Sequence, residues 1–516
     1  MKLLLLTSLS RLRFLDTPSR SQNSGHLCAF TARWASFLFY SLLWSSVILS
    51  ATVAVQAAPP NVVFIMADDL GWGELGCYGQ KVIRTPNIDS LARDGMRFTQ
   101  FYSGNAVCAP SRCCLMTGLH PGHAYIRDNG NPTGLEELKA KYGWEFPGQQ
   151  PIPADTTTVA KLFRKAGYAT GAMGKWGLGH CGTTGDVNAQ GFDLFYGYHC
   201  QVHAHNHYPK FLWRNQTKEI LPGNDATLTG PIYSQDRFIE EGLAFIESNK
   251  SKPFFLYLPF TVPHLSIQVP QSAADEYTQT IPEADYKHTA YLQHPTPRAA
   301  YAAMLTHMDR GIGQILSKLD ELNLSHNTIV IFTSDNGPTY NRLGGSDSEF
   351  FHSAGDLRGL KGSLYEGGIR VPLVVRWPNH IAAGETTNWT GAFWDFLPTL
   401  CDMIGTEIPL NIDGVSFAPL LTGKPQHERE FLYWESAGYG SQQAVRSGHW
   451  KAIRQQMAAK SRKQQPITTE LYNLQSDESE RFNVASANAD ILQKLEQIMT
   501  AQHVRSELFR LPGVDP

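Results

Sequence analysis

Cysteine is scarce in this chain, eight residues in 516, and no two of them form a Cys-x-x-Cys pair. A disulfide scaffold is excluded at this size, and the usual signature of a zinc–thiolate or redox centre is missing. Net charge is slight as well: 44 Lys and Arg stand against 47 Asp and Glu, a formal −3. A nucleic-acid partner calls for a strongly basic face, so none is expected. Internal repeats and low-complexity segments are also lacking, which excludes solenoids and fibrous arrays. What remains is an ordinary globular balance, 42% hydrophobic and 18% charged, with material for a large core. Length predicts two or three domains.

Long apolar runs are rare, with one exception at the start. Residues 1–57 hold Lys2, Arg11, Arg13, Arg20 and Arg33 against a single acid, Asp16, and an apolar run from Trp34 to Val55 follows. It ends in Val55-Gln56-Ala57-Ala58, whose small residues suit cleavage after Ala57. Residues 1–57 therefore read as a signal peptide with an over-extended N-terminus, and the protein as exported, periplasmic or secreted. A membrane is met only during export. A retained anchor is the alternative, because the run is long enough to span.

The remainder alternates strands and helices. Asn61–Met66 is a nearly continuous apolar run, and similar runs recur at 253–259, 328–333 and 372–377. Such runs read as strands buried on both faces, hence a parallel sheet between helices. Met304, Met308, Ile312, Ile315, Leu319 and Leu322 form one apolar helical stripe. Residues 157–166 predict a helix closed by Gly167, with a strand at 168–173. The fold class is α/β, a doubly wound, mostly parallel sheet over 58–428. Beyond about 428 come short runs at 431–434, 443–446, 450–454 and 469–472, then an amphipathic stretch at 489–500. Residues 429–516 therefore predict an α+β subdomain with an antiparallel sheet.

Acidic residues directly follow two of the buried runs: Asp68-Asp69 after the first, and Asp335-Asn336 after the run at 328–333. Ligands of open α/β sheets bind beyond the carboxyl ends of strands. Three carboxylates and an amide gathered there call for a cation, and oxygen ligands suit Ca²⁺ or Mg²⁺ rather than zinc. Taken singly, each pair is also what a turn would contain.

Cys108-Ala109-Pro110-Ser111-Arg112 is the most informative segment. Pro110 suits the first turn of a helix, which puts Cys108 at an N-terminus that favours an anion. Arg112, four residues on, returns to the same face. A cysteine alone usually reads as a small buried hydrophobe. Here the pentapeptide resembles the sulfatase family signature, Cys-x-Pro-Ser-Arg followed by Leu-Thr-Gly-Arg. This chain continues Met116-Thr117-Gly118-Leu119, with Leu119 where the family usually has Arg. Further motifs carry the resemblance from Asn61 past Arg454. They are Asp68-Asp69-Leu70-Gly71-Trp72-Gly73, Thr85-Pro86-Asn87-Ile88-Asp89, Gly174-Lys175-Trp176, Ser334-Asp335-Asn336-Gly337, and Lys361-Gly362 with Tyr365-Glu366-Gly367-Gly368-Ile369-Arg370.

The resemblance implies an alkaline-phosphatase-like fold and a sulfuric ester hydrolase. It implies that Cys108 is oxidised before folding to formylglycine by a formylglycine-generating enzyme. Asp68, Asp69, Asp335 and Asn336 would hold one Ca²⁺, with the modified Cys108 completing the shell. Lys175 and Lys361 would bind sulfate and bridging oxygens, Arg112 would fix the formylglycine hydrate, and His264 would serve the leaving group. One hydroxyl of the hydrate would attack sulfur while the alcohol leaves with a proton from a histidine; the second would then lose its proton, and sulfate would depart as the aldehyde re-forms.

One departure concerns the lysine motif. Many members read Gly-Lys-Trp-His-Leu-Gly, whereas this chain has Gly177 in the histidine's place. Four histidines lie at 199–207, and such a cluster can read as a transition-metal site. The reading adopted is that His203 or His205 replaces the missing imidazole while the others line the substrate pocket. Expected substrates are sulfated carbohydrates, with aryl sulfates as surrogates, and loops 186–208 and 340–356 set the choice. Two alternatives stay open: a phosphonate or phosphate ester hydrolase of the same superfamily, and a degenerate carbohydrate-binding homologue.

Overall fold

Apolar residues alternate between two cores along the first strand, and that alternation organises the molecule. The computed structural model describes residues 58–462 and 466–516. Residues 1–57, expected to be a signal peptide, lie outside the described residues. Among those described, no helix is long and apolar enough to cross a membrane.

The main sheet contains β1 (Asn61–Asp68), β2 (Met96–Tyr102), β3 (Ala169–Lys175), β4 (Leu194–Tyr198), β5 (Phe211–Arg214), β6 (Thr217–Ile220), β7 (Phe254–Pro263), β8 (Thr328–Ser334) and β9 (Arg370–Arg376). Two short strands, β10 (Glu385–Thr387) and β11 (Gly391–Ala392), pair with β2. The order is β10-β2-β9-β8-β1-β7-β3-β4-β5-β6. Its centre, β8-β1-β7-β3-β4, is parallel throughout. From β1, Val62, Phe64 and Met66 enter one core, and Val63, Ile65 and Ala67 enter the other. A strand covered on both faces has no polar side, hence the continuous apolar run.

β9 runs antiparallel to both β8 and β2. Its run reads like the others because apolarity reports that both faces are covered, not which way the chain travels. The helix Pro297–Glu321 buries Met304, Met308, Ile312, Ile315 and Leu319 in the second core, as the stripe predicts. The expected helix at 157–166 is Val159–Lys165. It is capped by Thr158 Oγ1, which accepts from the Lys161 amide at 3.3 Å.

The C-terminal part forms an antiparallel sheet, β12 (Leu432–Ser436), β13 (Gln442–Ser447), β14 (Trp450–Arg454) and β15 (Thr469–Asn473). Leu432, Trp434, Ala444 and Ile453 from one face join the first main core. Tyr433, Val445, Ala452 and Leu471 from the other pack under Leu495 and Met499 of the helix Ala489–Gln502. This sheet also holds loops of the main domain. Trp434 Nε1 donates to the Ser103 carbonyl at 3.0 Å, and Gln442 Nε2 to the Gly362 carbonyl at 2.7 Å. Those loops flank Cys108 and Lys361.

Candidate active site

Because β8, β1, β7 and β3 are parallel neighbours, their carboxyl ends share one edge of the sheet. Asp68 closes β1, Lys175 closes β3, and His264 follows the last residue of β7. Asp335 and Asn336 follow the last residue of β8. Asp69 takes a φ of +65°, turning the chain off the sheet, and its amide donates to Asp335 Oδ1 at 3.1 Å. Seryl support comes from Ser334, whose Oγ accepts the Leu70 amide at 2.9 Å.

The helix Cys108–Thr117 points its N-terminus at that edge, and every residue in it is buried. Cys108 Sγ lies 3.3 Å from Asp68 Oδ1 and 3.6 Å from Lys361 Nζ. Arg112, one turn on, donates from Nε and Nη2 to Asp335 Oδ2 at 3.1 and 2.8 Å. Lys175 Nζ reaches Asp68 Oδ2 at 2.6 Å, and Lys361 Nζ reaches Asp69 Oδ2 at 2.8 Å. Lys361 is carried by a loop tied to the segment that leads into the same helix, since the Gly362 amide donates to the Ala106 carbonyl at 2.9 Å. Three carboxylates thus face three cations, all buried.

The electrostatics follow from that packing. Burial, reinforced by Asp335 and Asp68, pushes the Cys108 thiol well above its ordinary value, so it is a neutral and weak nucleophile as it stands. Burial works against the Asp68 anion, yet Lys175, His264, Arg112 and Lys361 hold it well below the usual carboxylate range. Burial and the Asp68 charge push Asp335 up to about 6, against the pull of Arg112. Asp69 is also raised, by burial first, with Lys361 opposing.

Asn336 Nδ2 donates to Asp69 Oδ1 at 2.8 Å, whereas Asn336 Oδ1 is buried with no hydrogen-bond partner. Asp68, Asp69, Cys108 and His264 bring potential ligand atoms within 4.8 Å of one another. An orphaned amide oxygen beside crowded carboxylates is a donor set that fits a hard cation.

The histidines separate. His264 Nε2 faces Asp69 Oδ2 at 3.6 Å, and its Nδ1 meets the Leu265 carbonyl at 2.5 Å. Burial, then Lys361, keeps this ring neutral, well below its ordinary value. His205 stacks on His264 with centroids 4.9 Å apart. His203 instead stacks on Phe146 at 4.3 Å and meets Tyr198 and Phe211, an aromatic packing position. Of the two histidines singled out, His205 is the one that touches His264. Sequence patterns do not flag Gln201, whose amide lies against Gly177. Nor do they flag Tyr291, which meets both His205 and His264, or Tyr340, whose ring lies under Lys361 Nζ at 5.8 Å. A second histidine grouping, His120 and His123 with Asp413, is a hydrogen-bonded corner: His120 accepts the Gly122 amide and contacts Gln502.

A doubly wound sheet with this carboxyl edge defines an alkaline-phosphatase-like hydrolase fold. The Sulfatase family profile matches residues 60–406, and a profile described as N-sulphoglucosamine sulphohydrolase, C-terminal, matches 360–505. The chain belongs to the sulfatase family, whose members are sulfuric ester hydrolases. It is 30% identical over 512 residues to arylsulfatase G of Mus musculus, covering 90% of each chain. With arylsulfatase A of Homo sapiens it shares 32% over 486 residues, covering 87% of this chain and 89% of that one. Among solved structures, Ps i-CgsB in complex with k-i-k-neocarrahexaose superposes with a TM-score of 0.71. The identity there is 27%, and the match covers 86% of this chain and 94% of that one.

Proposed function

We propose that this protein hydrolyses sulfate monoesters of carbohydrates, using calcium and a formylglycine made from Cys108. The observation that carries this reading is the position of Cys108 Sγ, between Asp68 on one side and Lys361 on the other, at a helix N-terminus. Conversion before folding is supported by burial, because Cys108 is only 1% exposed and out of an enzyme's reach once folded. The aldehyde supplies, as its hydrate, one hydroxyl to attack sulfur and a second whose ionisation expels sulfate. Asp68, Asp69, Asp335 and Asn336 would hold Ca²⁺, which supplies Lewis-acid polarisation when bound.

The remaining work falls to the chain's own side chains. Three cations match three carboxylates here, so a bound dication leaves the site positive and attractive to an anionic ester. Lys175 and Lys361 then bind the sulfate oxygens, stabilising charge that grows in the transition state. Arg112, fixed by Asp335, orients residue 108. His264 Nε2, bare while Nδ1 gives its hydrogen to the Leu265 carbonyl, takes up a proton as the anionic ester binds and passes it to the departing alcohol. Its Nδ1 is held by the Leu265 carbonyl, which fixes the ring's direction. Tyr291, Tyr340 and the half-exposed Tyr439 offer flat apolar faces near the lysine, suited to stacking on a sugar ring. Export, with residues 1–57 as signal peptide and conversion by a formylglycine-generating enzyme, completes the proposal.

Matched sulfate, phosphonate and phosphate esters of one leaving group test it. The sulfate ester should turn over fastest by orders of magnitude. Faster phosphonate or phosphate turnover would replace this reading with that of a phosphoester hydrolase, and none with any ester would leave only carbohydrate binding.

A further inference from the structure

Gly177 takes a φ of +81°, and a Cβ placed there would lie 2.3 Å from Gln201 Nε2 and 3.8 Å from Arg112 Cδ. The Gln201 amide therefore fills the space where an imidazole at 177 would begin. Gln201 is 7% exposed, and both Nε2 and Oε1 are buried without a hydrogen-bond partner. An amide buried with both ends unpaired is costly and calls for a partner. Its surroundings name that partner's chemistry. The same Cβ position at 177 also approaches Arg112, which lies on the helix face of Cys108, and Arg112 Nη1 donates to the carbonyl of Lys175, two residues before Gly177.

We infer that Gln201 takes over the position of the absent imidazole: its amide N–H donates to the oxygen that oxidation places on residue 108, holding that oxygen beside Arg112. The inference rests on the formylglycine reading above. An amide neither gains nor loses a proton near neutral pH, so Gln201 positions and leaves proton transfer to His264. This also explains the glycine. A side chain at 177 would push the amide out of this position, and the backbone there is one that L residues rarely adopt.

Gln201→Met keeps the length of the side chain and removes its hydrogen-bonding groups; Gln201→Leu serves if the first variant does not fold. Peptide mass spectrometry counts the aldehyde at residue 108, so kcat is expressed per aldehyde. In unconverted protein, where residue 108 is still cysteine and the amide has no partner, we expect an unchanged or higher thermal midpoint. We expect kcat to fall roughly a hundredfold with little change in KM, the size expected for one preorganised donor. Trapping of the aldehyde by a hydrazine reagent in the native protein should become faster, and Gln201→His, which keeps a donor, should recover part of the rate. Wild-type kcat and trapping rate in Gln201→Met overturn the inference alone, whatever the thermal midpoint. An unmodified thiol in wild-type protein that turns over sulfate esters overturns the formylglycine reading and this inference with it.

Discussion

Asn336 gives its amide nitrogen to Asp69 at 2.8 Å while its amide oxygen, equally buried, has no partner. Beside it, Asp69 and Asp335 are both pushed toward protonation by burial. The calcium ion proposed for this site would satisfy all three groups at once. Exhaustive chelation is therefore expected to abolish turnover and lower the thermal midpoint, and calcium to restore both. At about a hundredfold excess over Kd, binding stabilises the fold by about 2.7 kcal/mol. Asn336→Ala should weaken calcium binding and also lower the apo midpoint, because buried Asp69 loses its amide donor. Calorimetry against calcium and melting with chelator measure both; full activity after chelation contradicts the site.

His264 presents Nε2 to the centre and has Nδ1 fixed by a backbone carbonyl. If it protonates the leaving alcohol, His264→Ala should cost roughly a hundredfold or more in kcat on a sugar sulfate. An activated aryl sulfate, whose leaving group needs little protonation, should lose far less. Equal losses on both substrates would assign His264 to binding instead.

What was legible in the sequence, and what was not, divides along physical lines. Strands β1, β7 and β8 and the stripe on Pro297–Glu321 announce themselves because each is covered by apolar neighbours in a fixed period. Asp68, Asp69, Asp335, Asn336, Lys175 and Lys361 are legible because short motifs carry them at strand ends or in a loop tied to the segment that leads into the Cys108 helix. The direction of β9 is not legible, since burial is the same either way. Gln201 is silent for another reason: an uncharged amide has no chemistry to flag until its lack of a partner is seen. His203 and His205 are indistinguishable as residues two apart, yet the chain between them turns one into aromatic packing and the other toward His264. Lys451 gives no hint in the sequence of being fully buried between Glu366 and Glu480 at 2.9 Å from each.

His503 ties the C-terminus to β12, with Nδ1 at 2.7 Å from Glu435 and Nε2 at 3.0 Å from Asp515. The hydrogen bond to Glu435, with Asp515 adding to it, raises its pKa above the ordinary value. Both ring nitrogens donate only in the imidazolium form. The stabilisation is therefore fully present below the unfolded-state pKa of about 6.5 and is lost as pH rises through the higher folded value. Urea midpoints of wild type and His503→Gln should differ most near about pH 6 and converge by about pH 9. A difference that grows with pH contradicts the assignment.

The central claim is that the buried thiol of Cys108 is not what performs the reaction. Intact-peptide mass spectrometry of residue 108, on protein made alongside a formylglycine-generating enzyme and shown to release sulfate, tests it most directly. The account predicts an aldehyde in place of the thiol, trappable by a hydrazine reagent, with turnover proportional to the fraction converted. An unmodified Cys108 in protein that turns over sulfate esters at full rate would contradict it.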